Sequence, residues 1–176
     1  MSKILAKFHD VNEVPHGVFS PLSPHPFVVR HVTYPSLHHF FLCERFKASP
    51  VDDEIRKASS LWEVDRLVRK AESQGWQRED WDRVKADVML LGCYYKMKHN
   101  PDVATVLQQT GQRTILYTHA QDDFWGDGGD GQGKNLLGVI LMAVRKRIAH
   151  EDRTSRKRGG GDIANSGSGA HGRTRR

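Results

Sequence analysis

Cysteine is scarce in this 176-residue sequence, which holds only Cys43 and Cys93. Two cysteines in apolar, helix-like surroundings exclude a disulfide framework and predict buried, reduced thiols, as expected of a cytoplasmic protein. Long apolar runs are missing too. No stretch approaches the roughly 20 residues that cross a bilayer, so no membrane partner is expected. The opening MSKILAKFHD has neither an apolar core nor a small-residue cleavage pattern, so no secretory signal is expected. Metal-ligand spacing is also lacking. His39 and Cys43 lie four apart on a helix pattern, but no second ligand pair follows, and neither zinc nor any other cofactor is expected.

Acidic charge is short at one end. Residues 151–176 carry seven Lys or Arg against three Asp or Glu, so most of the formal +6 sits there and the rest is nearly balanced. This stretch, rich in Gly, Ser and Arg, has too little apolar surface to offset chain ordering and reads as a disordered basic tail. Arg156-Lys-Arg158 and Arg173-Thr-Arg-Arg176 would suit DNA or RNA phosphates, and a solvated terminus is the plainer reading.

Residues 1–150 read as one α+β domain, mainly helical with a few short strands. Pro15, Pro21, Pro24 and Pro26 exclude a helix from the first 33 residues. Phe27–Thr33 reads as a strand. A helix follows Pro35, with Ser36 near its start. Asp52 or Asp53 opens the next, and Ser59 or Ser60 caps a third with Glu63 as capping-box partner. Trp81, Val84, Val88, Leu91 and Tyr95 recur at helical spacing on a helix from about Glu79 to Lys98. Pro101 opens another helix, Thr114–Thr118 is a strand candidate, and an apolar helix runs from Leu136 to about Ile148.

The densest chemical signal is Phe124-Trp-Gly-Asp-Gly-Gly-Asp-Gly-Gln-Gly-Lys-Asn-Leu-Leu-Gly138. Glycines let the backbone approach a ligand, and free amides at the start of the following helix make an anion site to which Lys134 adds charge. Gly128, Gly133 and Lys134 meet most of a P-loop pattern. Asn135 stands where that motif needs Ser or Thr, and no apolar strand leads in, so a nucleotide triphosphatase is rejected. A glycine-rich turn that fixes a buried helix stands as the bland alternative.

These residues resemble the NADAR (YbiA-like) family, with Trp125-Gly-Asp-Gly128, Gly133-Lys-Asn-Leu-Leu-Gly138 and Val139-Ile-Leu-Met142 followed by Arg145. Upstream, Phe19-Ser20, Tyr34-Pro-Ser36 with His39 and Phe41, and Trp81-Asp-Arg-Val-Lys85 match family motifs in the same order. The resemblance spans about Phe19 to Arg147. It implies hydrolysis of an N-glycosidic bond between a nitrogen base and ADP-ribose or a ribose phosphate, free or on nucleic acid, through an oxocarbenium-like state.

Carried over residue by residue, the resemblance makes Asp127 the charge-stabilising or water-activating carboxylate. His38, standing where the family has a glutamate, is expected to act as a general base near neutral pH, an altered mechanism rather than a retained one. Phe124 and Trp125 would form the platform for the base, and Gly126, Gly128, Gly133, Lys134 and Asn135 a phosphate cradle. Ser20, His39, Trp81 and Lys85 complete the substrate-binding set. Three positions depart from the pattern: His38 and Tyr117 replace glutamates, and Pro21 replaces an asparagine. They motivate an alternative, an inactive module that still binds ADP-ribose or a nucleotide. For each residue a structural role remains open: Asp127 and Asp130 as turn formers, Trp125 as core, Lys85 as a plain exposed helix residue.

Overall fold

A computed structural model describes residues 5–159 of the chain. Among them are six α-helices, four short strands and one 3-10 turn. Two units divide the chain after Arg145.

In the first unit, β1 (Leu5–Phe8) pairs in parallel with β4 (Thr114–Tyr117), Phe8 opposite Tyr117. Ala6 and Phe8 point inward and their neighbours outward, the period of two that a half-buried strand requires. The proline-rich lead-in holds no α-helix, only a 3-10 turn at His16–Phe19. The single strand expected over Phe27–Thr33 is a hairpin instead. β2 (Phe27–Val29) and β3 (Val32–Tyr34) pair antiparallel across Arg30 and His31. Both turn residues have positive φ, 49° and 67°. A two-residue hairpin loop needs that conformation, but Asn-Gly or Asp-Gly is its usual signature, so Arg-His hid the turn.

Helix α1 (Leu37–Arg45) begins at Ser36, whose side chain accepts from the His39 amide. Its Leu37, Phe40, Leu42 and Cys43 are buried. Helix α2 (Asp52–Lys57) is short. Helix α3 (Leu61–Ser73) starts with a capping pair, Glu63 N donating to Ser60 Oγ at 3.2 Å and Ser59 N to Glu63 Oε2 at 3.0 Å. Helix α4 (Trp81–His99) crosses α1 closely because residue 92 is glycine. A Cβ there would lie 2.4 Å from Leu37 Cδ1 and 2.7 Å from Phe40 Cδ1. The buried face of α4 is rotated from the expected one. Trp81 and Val88 are buried, with Met89, Cys93, Lys96 and Met97, while Val84, Leu91 and Tyr95 are half-buried. Counting apolar residues misses this face because a lysine lies on it.

Helix α5 (Pro101–Gln109) leads to β4, and α6 (Leu136–Gly159) follows the glycine-rich loop. Its first turns bury Leu137, Ile140, Leu141 and Val144. The buried Arg145 donates from Nη1 to Thr110 Oγ1 at 2.6 Å and to Arg113 O at 3.0 Å, closing the unit.

Helix α6 runs past Ile148, where the apolar pattern ends it, and through residues 151–159, which the sequence assigns to a disordered tail. Once a helix exists, each added residue costs little nucleation, and Arg147 pairs with Glu151 one turn on at 3.0 Å. Residues 160–176, the rest of the expected tail with Arg173–Arg176, lie outside the described residues. No described helix is long and apolar enough to cross a membrane.

Candidate functional site

The glycine-rich segment is a loop built by carboxylates. Asp122 Oδ1 accepts from the amides of Phe124 and Trp125 at 3.1 and 2.7 Å. Asp127 Oδ1 accepts from His119 and Gly129, both at 3.0 Å, and Asp130 Oδ1 from Gln132 at 2.9 Å. The Asp127 carbonyl takes the amides of Gly131 and Gly133. Lys134, Asn135, Leu136 and Leu137 donate to carbonyls of Asp123, Gly126, Phe124 and Trp125. Of the amides expected as a phosphate cradle, those of Gly128, Gly133, Lys134 and Asn135 are therefore not free: the loop uses them on itself. Glycine is needed here for backbone-on-backbone packing. A Cβ on Gly133 would sit 2.5 Å from Gly126 O and from Asp127 C.

Asn135 explains why the P-loop position is neither Ser nor Thr. With φ at 49°, which Asn tolerates better than most residues, it donates from Nδ2 to Ile115 O and accepts the Tyr117 amide on Oδ1, both at 2.9 Å. Its side chain clamps the start of α6 to β4. Tyr117 itself stacks on Phe8 with ring centroids 5.1 Å apart.

An aromatic chain runs from this loop to α1 and α4. The Phe124 ring meets Trp125 edge-on at 4.9 Å, Trp125 meets Phe41 at 5.5 Å, and Phe41 meets Trp81 at 4.7 Å. Two ammonium groups converge on its outer end. Lys85 Nζ lies 4.5 Å and Lys134 Nζ 5.0 Å from the Phe124 ring centroid. A ring face attracts cations through its quadrupole, so Phe124 gathers two positive charges that would otherwise repel. Lys85 also pairs with Asp82 at 2.7 Å. Five candidate residues, Trp81, Lys85, Phe124, Trp125 and Lys134, are thus brought together, with Trp81 buried at the inner end.

The other candidates fall elsewhere. His39 is held by Ser36 Oγ at Nδ1 (2.8 Å) and by Ala58 O at Nε2 (3.3 Å). That arrangement pins the start of α1 and leaves the ring no ligand to spare. Ser20 is buried, its Oγ accepting from Leu22 N at 3.3 Å. His38 lines a cavity of about 500 Å³ with Leu22, Leu42, Leu61, Trp62, Val64, Asp65 and Val68. Burial, then the neighbouring His39, lowers its pKa to about 4. His38 is therefore neutral at pH 7 and a poor base there, not the near-neutral base that an unperturbed histidine would be. Asp127 is ionised. Burial pushes its carboxyl up, but the amides of Gly129, His119 and Asp127 and the charge of Lys7 outweigh this, and the net shift is downward.

Sequence reasoning missed Lys96, which is wholly buried with Nζ 2.6 Å from Val18 O, 2.9 Å from Ser20 O and 2.5 Å from Ser23 Oγ. It shapes the segment that supplies Ser20, Pro21 and Leu22, and Pro21 O in turn accepts the His38 amide at 2.9 Å. Only its lone charge within an apolar helix face could have signalled it. Both thiols are buried and unpaired, and burial raises that of Cys93 to about 12, so it is inert at neutral pH. Among the described residues, no three His, Cys, Asp or Glu are grouped to hold a metal.

Against known proteins, the model of the NADAR domain family matches residues 7–149. N-glycosidase YbiA of Escherichia coli (strain K12) is 30% identical over 151 residues, covering 86% of this chain and 92% of the relative. N-glycosidase Npun_R5314 of Nostoc punctiforme is 31% identical over 137 residues, covering 76% and 86%. The riboflavin biosynthesis protein VVA0006 of Vibrio vulnificus is 34% identical over 133 residues, and the match spans 76% of this chain but only 36% of that longer protein. The NMR structure of E. coli YbiA superposes with a TM-score of 0.74 at 29% identity, covering 86% of this chain and 89% of that one.

Proposed function

The chain belongs to the NADAR family, and from that premise we propose that it is an N-glycosidase cleaving a nitrogen base from ADP-ribose or a ribose phosphate. The observation that carries the substrate class is the pair of lysines at Phe124, Lys85 and Lys134, held together at the end of an aromatic chain. Two ammonium groups on one ring form a preassembled anion site. With the loop amides occupied, the phosphate falls to these side chains. Phe124 then serves as the anchor of the cations rather than as a stacking surface, since both lysines already lie within about a ring's width of it.

Asp127 is the proposed carboxylate. It is ionised and buried close in sequence to Trp125, which supports a role in which its charge offsets the positive charge that develops on the ribose. In the reaction, the bond between ribose carbon and base nitrogen breaks with its electron pair leaving on nitrogen. Water then bonds to the carbon, and its protons end on the new hydroxyl and the departing base. Asp127→Asn keeps an acceptor for the amides of His119 and Gly129, so we expect a stability loss of only about 1 kcal/mol. Turnover is expected to fall by about 100-fold or more. Wild-type turnover in that variant would remove Asp127 from the chemistry.

The reading itself is tested by mass spectrometry of products from a panel of N-glycosides, including ADP-ribosylated guanine in DNA and phosphorylated ribosylaminopyrimidines. Free base together with ADP-ribose or ribose phosphate is the expected result. One observation favours a second reading, a binder without turnover: the neutral, weakly basic His38 stands where relatives are expected to carry a glutamate. Tight binding of panel members with no product would decide for it.

A further inference from the structure

We propose that the cavity lined by His38, Leu22, Leu42, Leu61, Trp62 and Val68 is the pocket for the departing base, with Trp62 as its stacking wall and the His38 imidazole as its polar contact. This assignment rests on the N-glycosidase reading and adds to it the half of the substrate that the lysine pair does not recognise.

Three features converge on a neutral, planar heterocycle. The cavity, about 500 Å³, falls within the usual range for small-molecule sites, about 300–1,000 Å³. Its mouth gathers three large apolar side chains that the fold leaves uncovered: Trp62 at 70% exposure, Leu61 at 56% and Leu22 at 42%. Trp62 and Leu61 stand in the first turn of α3, fixed by the Ser60–Glu63 cap, so their exposure is part of a rigid element and not of a loose end. His38, by contrast, is half-buried on the cavity wall, and no hydrogen bond from its ring to a described residue is seen. Facing the cavity, it is open to a ligand that brings its own donor or acceptor. As a neutral imidazole it offers one N–H and one lone pair, which match the edge of a nitrogen base.

Charge fixes the orientation. The one ionisable carboxylate on the cavity wall is Asp65, paired with Arg69, and no lysine or arginine lines it, so the phosphate is directed elsewhere. The lysine pair, Lys85 on α4 and Lys134 in the glycine-rich loop, connects to α1 through the aromatic chain. His38 and Phe41 are three residues apart on α1, neighbours on its surface, and Phe41 leads through Trp125 to Phe124 and the two ammonium groups. The proposal puts the base in the Trp62 pocket, the phosphate at Lys85 and Lys134, and the ribose between them. A hydrogen bond from His38 to the base then stabilises the negative charge that collects on nitrogen as the bond breaks, without His38 itself having to gain a proton.

Calorimetry with guanosine 5′-monophosphate and with ribose 5-phosphate separates the two halves. Wild-type protein is expected to bind both. Trp62→Ala, a change at an exposed side chain, is expected to weaken the nucleotide about tenfold or more and to leave ribose 5-phosphate unchanged, with Trp62→Phe restoring most of the loss. Unchanged nucleotide affinity in Trp62→Ala, or an equal loss for both ligands, would overturn the pocket assignment while leaving the glycosidase intact. If wild-type protein binds neither ligand and cleaves no panel member, the N-glycosidase reading falls, and the pocket assignment with it.

Discussion

Replacing Gly138 with alanine is expected to destabilise the domain by about 3 kcal/mol and to lower its melting temperature by roughly 6 °C or more. A Cβ at this position would lie 2.2 Å from Ile115 O and 2.5 and 2.6 Å from Nδ2 and Oδ1 of Asn135. None of these atoms can yield cheaply. Ile115 O belongs to β4 and already accepts from Asn135, whose Oδ1 takes the Tyr117 amide. Either α6 moves outward, pulling the buried Leu137 and Leu141 from the core, or Asn135 turns away and leaves two strand groups without partners. The first costs about 1–3 kcal/mol by overpacking, and each orphaned group in the second about 1–3 kcal/mol.

Gly131 supplies the control. Nothing lies within 4 Å of its would-be Cβ, although its φ is +81°. Gly131→Ala should therefore cost only backbone strain, about 1 kcal/mol. Thermal unfolding of both variants decides the matter. A Gly138→Ala protein that melts within about 3 °C of wild type would mean that α6 does not sit on β4 as described.

This result bears on what the motif around Asn135 and Gly138 is for. In the sequence, the run from Gly126 to Gly138 presents itself as a ligand cradle, because glycines and a helix start are the vocabulary of anion sites. In the fold, most of that vocabulary is spent on construction. Asp122, Asp127 and Asp130 cap the loop, Gly133 permits its crossing, and Asn135 with Gly138 docks the helix. Composition cannot distinguish the two uses, since an amide given to a neighbouring carboxylate and one given to a phosphate require the same residues. The helices were legible from local signals, a side-chain cap at Ser36 and Ser60 and a proline at the start of α5. Strand β1 was not. Four residues hold too little pattern, and its partner β4 lies more than 100 residues away. The convergence of Lys85 and Lys134 on Phe124, and the exposure of Trp62, are likewise tertiary facts, and no local spacing encodes them.

Lys96 carries the second large effect, and its sign runs against intuition. The ammonium group is wholly buried among Val18 O, Ser20 O and Ser23 Oγ, with Cys93 and His25 as its titratable neighbours. Burial is the main cause that lowers its pKa to about 8, against a small upward push from Cys93. The unfolded chain holds that proton up to about pH 10.4. Below pH 8 both states are protonated, and the folded state bears the full cost of the buried charge. Between about 8 and 10.4 the folded amine is neutral while the unfolded one is still charged, so the cost is lifted by about 1.4 kcal/mol per pH unit, roughly 3 kcal/mol in all.

The cage fits the neutral amine as well. In the neutral amine two N–H groups serve the carbonyls of Val18 and Ser20, and the lone pair accepts from the Ser23 hydroxyl once that proton turns from those same carbonyls. Lys96→Met fills similar volume and does not titrate. Ionisation of Cys43, Cys93 and Tyr34 in the unfolded state lowers stability at high pH in both proteins and largely cancels in their difference. Urea unfolding at pH 7, 8, 9 and 10 should therefore show wild type gaining on Lys96→Met by about 2 kcal/mol or more across that range. A difference that stays flat with pH would mean that Lys96 remains charged throughout, its three acceptors having outweighed its burial.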